Sequence, residues 1–348
     1  MGGAERLVTD LVENISDNHS EFEINLILLN GVNTPLLEKI IENPSIKTHI
    51  LGNSLISPII LFKLIKHMRK ADIVHLHLFP TLYWGVLSHI LSFSKAKLIF
   101  TEHSTNNNRR GKFVFKVLDK LVYRRLHHIV CISESTRVNL LEQIGEKFED
   151  KITIINNGIN LDCFKNSIGF ERDEFGYGNE DFIVIQVASF RPAKDQFTVI
   201  RALDNLPDNT RLLFIGTGPN MKECRDLVDN LGLGLKVQFL GNRSDVPRFL
   251  KMSDVVVVSS NYEGFGIVAV EGMACGRPVI ASDVPGLNEV VRNYGILFAK
   301  GDDRELAEKI LHLMCDPMKY KNVSLNCLKR SDDFSLEMVS NCYKKIYL

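Results

Sequence analysis

Short β-branched runs alternate with helix-period segments along almost the whole chain, and they do so in two separate series. In the first, strand candidates fall at residues 22–29, 47–51, 72–78, 97–102, 128–132 and 152–156. A polar stretch at 160–179, carrying Gly169, Gly176 and Gly178, breaks the pattern. The second series follows at 182–189, 211–216, 236–240, 254–259, 278–282 and 295–298. Strands alternating with helices build parallel sheets covered by helices on both faces. Two such series predict an α/β protein with two doubly wound, Rossmann-like domains facing each other across a cleft. In such sheets ligands bind beyond the carboxyl ends of the strands. The expected division sets 1–162, with a returning helix at 334–348, against 163–333. A length of 348 residues agrees, being too great for one ordinary core.

A doubly wound domain normally opens on a strand, yet here a Gly2-Gly3 turn leads straight into a helical pattern at 4–15. The expectation is that the first strand of the N-terminal domain is missing and that the natural start lies upstream of Met1. No apolar run reaches the roughly 18 to 20 residues of a membrane span; Lys63 interrupts the longest, 55–64. The first residues hold no apolar signal core, so a cytoplasmic protein is expected. The seven cysteines show neither CxxC nor zinc spacing and read as buried, reduced thiols. At 45% hydrophobic and 24% charged, the composition excludes a mostly disordered chain. Forty-two basic residues balance forty-two acidic ones, which argues against a dedicated nucleic-acid binder.

The densest chemical signal lies between the strands at 254–259 and 278–282. Gly264 and Gly266 allow a tight turn into a helix, where free backbone N–H groups and the positive dipole end favour an anion. Glu263 sits in that loop, and Glu271 lies about one and a half turns into the helix. A carboxylate there can accept two hydrogen bonds from a vicinal diol such as a ribose. Two glutamates eight positions apart are common on solvated helix faces. Here strand, glycines and both acids coincide. Gly276 is placed to cap the helix.

From Glu263 to Glu271 the chain resembles the E-x7-E motif of retaining glycosyltransferases of the two-domain GT-B fold, family 4 in particular. Gly2-Gly3-Ala4-Glu5-Arg6 is similar to that family's N-terminal glycine turn. Ser189-Phe-Arg-Pro-Ala-Lys194 is similar to its basic diphosphate loop. Ile215-Gly-Thr-Gly-Pro219 and Gly276-Arg-Pro-Val-Ile280 match as well, and the last helix resembles the segment that braces the N-terminal domain. The resemblance implies a transfer of a hexose or N-acetylhexosamine from a nucleotide-diphosphate sugar, the donor substrate, with no cofactor, to a saccharide or lipid-linked acceptor. It implies that Arg191 and Lys194 offset charge on the departing diphosphate, an electrostatic contribution to catalysis. By the same resemblance Glu271 holds the ribose and Glu263 meets donor-sugar hydroxyls. Backbone N–H groups of Phe265, Gly266 and Ile267 complete the phosphate site. Gly2, Gly3, Gly216 and Gly218 join the nucleotide-binding set, and His103 lies near the donor sugar or acceptor. Same-face attack, with a donor phosphate oxygen taking the acceptor proton, needs no separate nucleophile and base.

Other readings remain open. Gly216 and Gly218 follow a strand as a dinucleotide fingerprint does, but Met221 stands where the third glycine belongs. There is no Asp-x-Asp motif for a metal-bridged diphosphate, and no metal is expected. An epimerase on the same fold, or a non-catalytic sugar- or nucleotide-binding module, are the alternatives to transfer.

The neutral total hides an asymmetry. Residues 63–125 hold thirteen Lys or Arg against Asp72, Glu102 and Asp119, a net of +10. Lys112, Lys116, Lys120 and Arg124 recur every four residues and line one helical stripe. Phe113, Val114, Val117, Leu118, Leu121 and Val122 supply an apolar face that is expected to pack into the core. A basic stripe beside an apolar face can lie on an anionic membrane, which would make the protein peripheral on the inner face of the cytoplasmic membrane. Arg109 and Arg110 are candidates for an acceptor phosphate.

Overall fold

The structure, a computed structural model, describes residues 3–32, 35–104 and 113–348. Gly2, Arg109, Arg110 and Lys112 lie outside them. The chain divides into two compact units, 1–158 with 336–348, and 159–335. The first boundary thus falls at Gly158 rather than 162. The return falls at Leu336, because Phe334 stays with the second unit: its carbonyl accepts from Ile159 N–H at 3.0 Å and its ring packs edge-on against Phe265.

Unit 1 runs α1 (Gly3–Asn18), β1 (Ile24–Leu28), α2 (Pro35–Glu42), β2 (Ile46–Ile50), α3 (Ile59–Met68) and β3 (Ile73–His77). It continues through α4 (Thr81–Ser92), β4 (Lys97–Glu102), α5 (Phe113–Arg124), β5 (His128–Cys131), α6 (Glu134–Ile144) and β6 (Ile152–Ile154). Gly3 opens α1 rather than standing in a turn before it. The strands, all parallel, form two separate ladders: β1 pairs only with β2, while β3, β4, β5 and β6 pair in that order. Where a central strand was expected to be lacking, the sheet is interrupted. Strand alternation sends Leu98, Phe100, Ile129 and Cys131 to one core, with Leu82, Tyr123 and Leu140. It sends Ile99 and Val130 to the other, against Leu11 and Ile15 of α1 and Leu336, Val339 and Tyr343 of the last helix, α15 (Leu336–Tyr347).

Unit 2 runs α7 (Leu161–Lys165), β7 (Phe182–Val187), α8 (Gln196–Asp204), β8 (Thr210–Ile215), α9 (Met221–Asn230), β9 (Val237–Phe239), α10 (Val246–Met252) and β10 (Val255–Val258). Then come α11 (Ile267–Ala274), β11 (Val279–Ser282), α12 (Leu287–Val291), β12 (Ile296–Phe298), α13 (Asp303–Cys315) and α14 (Pro317–Ser331). Its six parallel strands lie in the order β12-β11-β10-β7-β8-β9. The order reverses between β7 and β10, a topological switch point, and there the loops after neighbouring strands part to make room for a ligand. Val255, Val256 and Val257 are fully buried, as central parallel strands require. Gly276, at φ +68°, ends α11 with its N–H on Met273 and that of Arg277 on Gly272, a left-handed helix stop.

Gly216 and Gly218 are where the second sheet demands glycine. A Cβ on Gly216 would lie 2.1 Å from the Ala188 carbonyl oxygen, and one on Gly218 2.3 Å from that of Phe190. Both obstacles belong to hydrogen-bonded backbone: Ala188 N–H donates to Ile215, Phe190 N–H to Thr217, and Asn220 N–H to the Phe190 carbonyl. Gly218→Ala is therefore expected to cost about 2 kcal/mol or more of unfolding free energy, read by denaturant titration of the whole protein. A variant as stable as the parent would contradict this packing.

Candidate active site

At the switch point the loops after β7 and β10 are stitched into one surface. Gln186, 2% exposed on β7, donates its side-chain amide to the carbonyls of Lys194 at 2.8 Å and Ser259 at 3.2 Å. Asn261 answers from the second loop: its N–H donates to Ala193 at 2.8 Å and its side chain to Pro192 at 2.6 Å. The basic loop is a short 3-10 turn, Pro192–Lys194, followed by Asp195 at φ +36°, whose carboxylate accepts from Thr198 and Ser259. Backbone and polar side chains thus fix the loop that bears both cations.

The predicted side chains gather on this frame. Lys194 forms an ion pair with Glu263, and Ser260 donates to the same carboxylate at 3.4 Å. Arg191 is exposed and makes no ion pair among the described residues, so it adds uncompensated positive charge beside that pair. Gly266, at φ +93°, precedes α11, and a Cβ there would lie 2.5 Å from Leu287. The Phe265 ring is 2% exposed and turned into the unit's interior against Phe334. The Phe265 side chain is thus withdrawn, leaving the backbone at the opening of α11 as the group suited to an anion. Glu271 is 5% exposed on α11, which packs its Gly272 against Val256 of β10.

In unit 1 the structure brings together residues that sequence reading missed. His75 and His77 project from one face of β3, their rings 4.0 Å apart. His77 Nδ1 lies 3.1 Å from Nε2 of His103, which follows β4. His75 spans Tyr347 Oη (2.7 Å) and Thr101 Oγ1 (2.8 Å), and Tyr343 of α15 also reaches Thr101, at 3.2 Å. Burial pushes the imidazoles down, His75 to about 3, His103 to about 4 and His77 well below its ordinary value. The alternation His75-Leu76-His77 was the available signal.

Helix α5 corrects an expectation. Of the six apolar residues expected to pack into the core, Val122 does so, while Phe113, Val114, Val117, Leu118 and Leu121 are 41% to 80% exposed. Its inward residues are Asp119 and Tyr123. Asp119 accepts from Tyr83 and from Gln143 at 3.1 Å; Tyr123 donates to the buried Glu102 at 3.0 Å. These bonds fix the rotation of the helix and turn its apolar arc outward, edged by Lys116, Lys120 and Arg124. None of the seven cysteines forms a disulfide: 131, 224, 275 and 327 are buried as expected, while 163, 315 and 342 are exposed. No group of His, Cys, Asp or Glu suited to a metal occurs among the described residues. None of their helices is long and apolar enough to cross a membrane.

This arrangement, on two doubly wound units, defines a glycosyltransferase of the GT-B fold. Residues 1–163 match the family described as Glycosyltransferase Family 4, and residues 167–330 match Glycosyl transferases group 1. An uncharacterized glycosyltransferase of Methanocaldococcus jannaschii is 30% identical, over 79% of this chain and 75% of that one. The chain belongs to this glycosyltransferase family. An Escherichia coli protein named UDP-Gal:alpha-D-GlcNAc-diphosphoundecaprenol alpha-1,3-galactosyltransferase is 27% identical over 93% of this chain and 91% of its own. Among solved structures, Anabaena HepE, crystallised with UDP and glucose, superposes with a TM-score of 0.86 at 21% identity, covering 99% of this chain and 95% of that one.

The lowered imidazole values set the sign of a pH effect. Unfolded histidines bind protons below about 6.5, while these stay neutral in the folded protein until well below that. The unfolded state therefore gains protons as pH falls, and stability declines from about pH 6.5 downward. The slope is at most about 1.4 kcal/mol per pH unit for each imidazole. His75→Gln is expected to flatten that decline when unfolding is followed at pH 7.5, 6 and 5; parallel curves for variant and parent would contradict it.

Proposed function

We propose that the enzyme transfers a hexose or N-acetylhexosamine, with retention, from a nucleotide-diphosphate sugar to a lipid-linked saccharide at an anionic membrane. The observation that carries the donor half is the pair of stitched loops at the switch point of unit 2. They hold Arg191, Lys194 and Glu263 beside the opening of α11, with Glu271 buried behind it. Glu271 takes the ribose diol, the α11 amides and Arg191 take the diphosphate, and Glu263 meets the sugar hydroxyls. Lys194, held by Glu263, stands by the same phosphates.

On unit 1, His103 serves the acceptor. The acceptor oxygen bonds to the anomeric carbon on the face from which the diphosphate leaves, and its proton passes to a phosphate oxygen. The relative from Escherichia coli, named for a diphosphoundecaprenol substrate, supports a lipid-linked acceptor. So does α5. Burying a fully exposed apolar side chain gains about 1.5 to 3 kcal/mol, of which these five, 41% to 80% exposed, have roughly half to win, against about 1 kcal/mol for each lysine near an anionic surface. Partial insertion of the apolar arc thus dominates, with Lys116, Lys120 and Arg124 selecting the charge.

Two measurements test these halves. Glu271→Ala should weaken nucleoside diphosphate binding about 10- to 100-fold by calorimetry, the worth of a charged hydrogen-bond pair. Undiminished affinity would remove Glu271 from the site. Donor binding with no nucleotide release, across a panel of sugar nucleotides with lipid-linked acceptor present, would favour a binding module. For the membrane, Val117→Ser with Leu121→Ser should abolish flotation with anionic liposomes, and Lys116→Glu with Lys120→Glu should weaken it. Parent protein that stays unbound would end the membrane reading.

A further inference from the structure

His103 is not held alone. Its Nε2 lies 3.1 Å from His77 Nδ1, while its Nδ1 is buried and has no hydrogen-bond partner among the described residues. An imidazole that is neutral carries one hydrogen, and a bond at one nitrogen decides which atom bears it. The His77 ring is in turn fixed. It stacks on His75 at 4.0 Å, and both nitrogens of His75 are engaged, by Tyr347 and Thr101. The backbone just beyond is fixed too. Leu78 sits at φ +64°, a conformation that costs a leucine about 1 to 3 kcal/mol and tends to mark functional sites. The Thr81 hydroxyl, at the start of α4, donates to the carbonyls of His77 and Leu78. In the β3–β4 ladder His77 is level with Thr101, so His103 stands two residues further along. A strand end is being held in a strained shape, and what it presents is one imidazole to another.

The geometry points to His77 as a positioning residue for His103: its Nδ1–H donates to His103 Nε2, so that His103 carries its own hydrogen on Nδ1. This rests on the reading that His103 serves the transfer, and it specifies how. The groups a sugar transfer presents, hydroxyl and phosphate oxygens, are acceptors, and the free Nδ1–H is the complementary donor. Burial pushes His103 down to about 4, which makes the neutral imidazole a poor proton acceptor, so it acts as an oriented hydrogen-bond donor and not as the base. That leaves the acceptor proton to the phosphate oxygen. Histidine tautomers follow from the bonding partners, and this one is directly observable.

The test uses the whole protein with 15N-labelled histidine rings and two-bond 1H–15N spectra at pH 7, the His103 signals being those lost in His103→Ala. The parent should show His103 as the Nδ1–H tautomer. His77→Leu should move it toward the Nε2–H form, and His77→Asn, whose side-chain amide can donate from a similar place, should restore it. With a donor found active in the panel above, His77→Leu should lower kcat at least tenfold with donor KM within about threefold, and His77→Asn should recover most of the loss. An Nε2–H tautomer in the parent, or a His103 signal indifferent to His77→Leu, overturns the proposal, as does a tautomer change without loss of turnover. Should His77→Leu fail to fold, His77→Asn against His77→Gln gives the same comparison of a near and a displaced donor. Full turnover by His103→Ala would instead sink the acceptor role of His103; the spectra separate the two failures.

Discussion

One buried carboxamide holds the donor side of this protein together. Gln186 lies in a central strand where every neighbour is apolar, and it spends its amide on two carbonyls that belong to different loops. A hydrogen bond of this kind contributes only about 1 kcal/mol net, but leaving the carbonyls unmet would cost about 1 to 3 kcal/mol each. The loops are therefore coupled: whatever shifts the basic turn at 192–194 also shifts the segment that carries Glu263. Electrostatic catalysis depends on charges that need no rearrangement when the leaving group departs. A cation mounted on a turn whose carbonyls are tied down meets that condition better than one on a free loop.

Unit 1 uses the opposite economy. Its polar groups are spent on orienting elements toward what lies outside. Asp119 and Tyr123 turn α5 so that its apolar arc faces outward, and a histidine stack braced from α15 fixes the end of β3. Both features run against the rule that apolar side chains go inward and polar ones outward. Departures of this kind are where local rules give way to function.

The elements were plainly legible. All twelve strands of the described residues lie where β-branched runs alternate with helical patterns, with ends displaced by no more than two residues. The loop that leads into α11 was legible because glycines and acids cluster there within a dozen positions. What was not legible involves distance along the chain. The rotation of α5 is set by partners 36 and 24 residues from Asp119, so its apolar stripe was assigned to the core by periodicity alone. The Lys194–Glu263 pair joins positions 69 apart. His75 and His77 could be seen to share a strand face, but only the β3–β4 register brings His103 to them.

Ile159 and Ser335, the first and last residues of unit 2, lie side by side as an isolated parallel bridge. Unit 2 is thus a closed loop of chain inserted into unit 1, and its two ends leave it together. Synthesis proceeds from the N-terminus, so the inserted unit has all its residues before the host segment 336–348 is made. That segment carries the helix that supplies Leu336, Val339 and Tyr343 to the core and Tyr347 to the histidines. The unit interrupted by the insertion is completed after it, and its histidine stack is assembled only once residues 336–348 have been made.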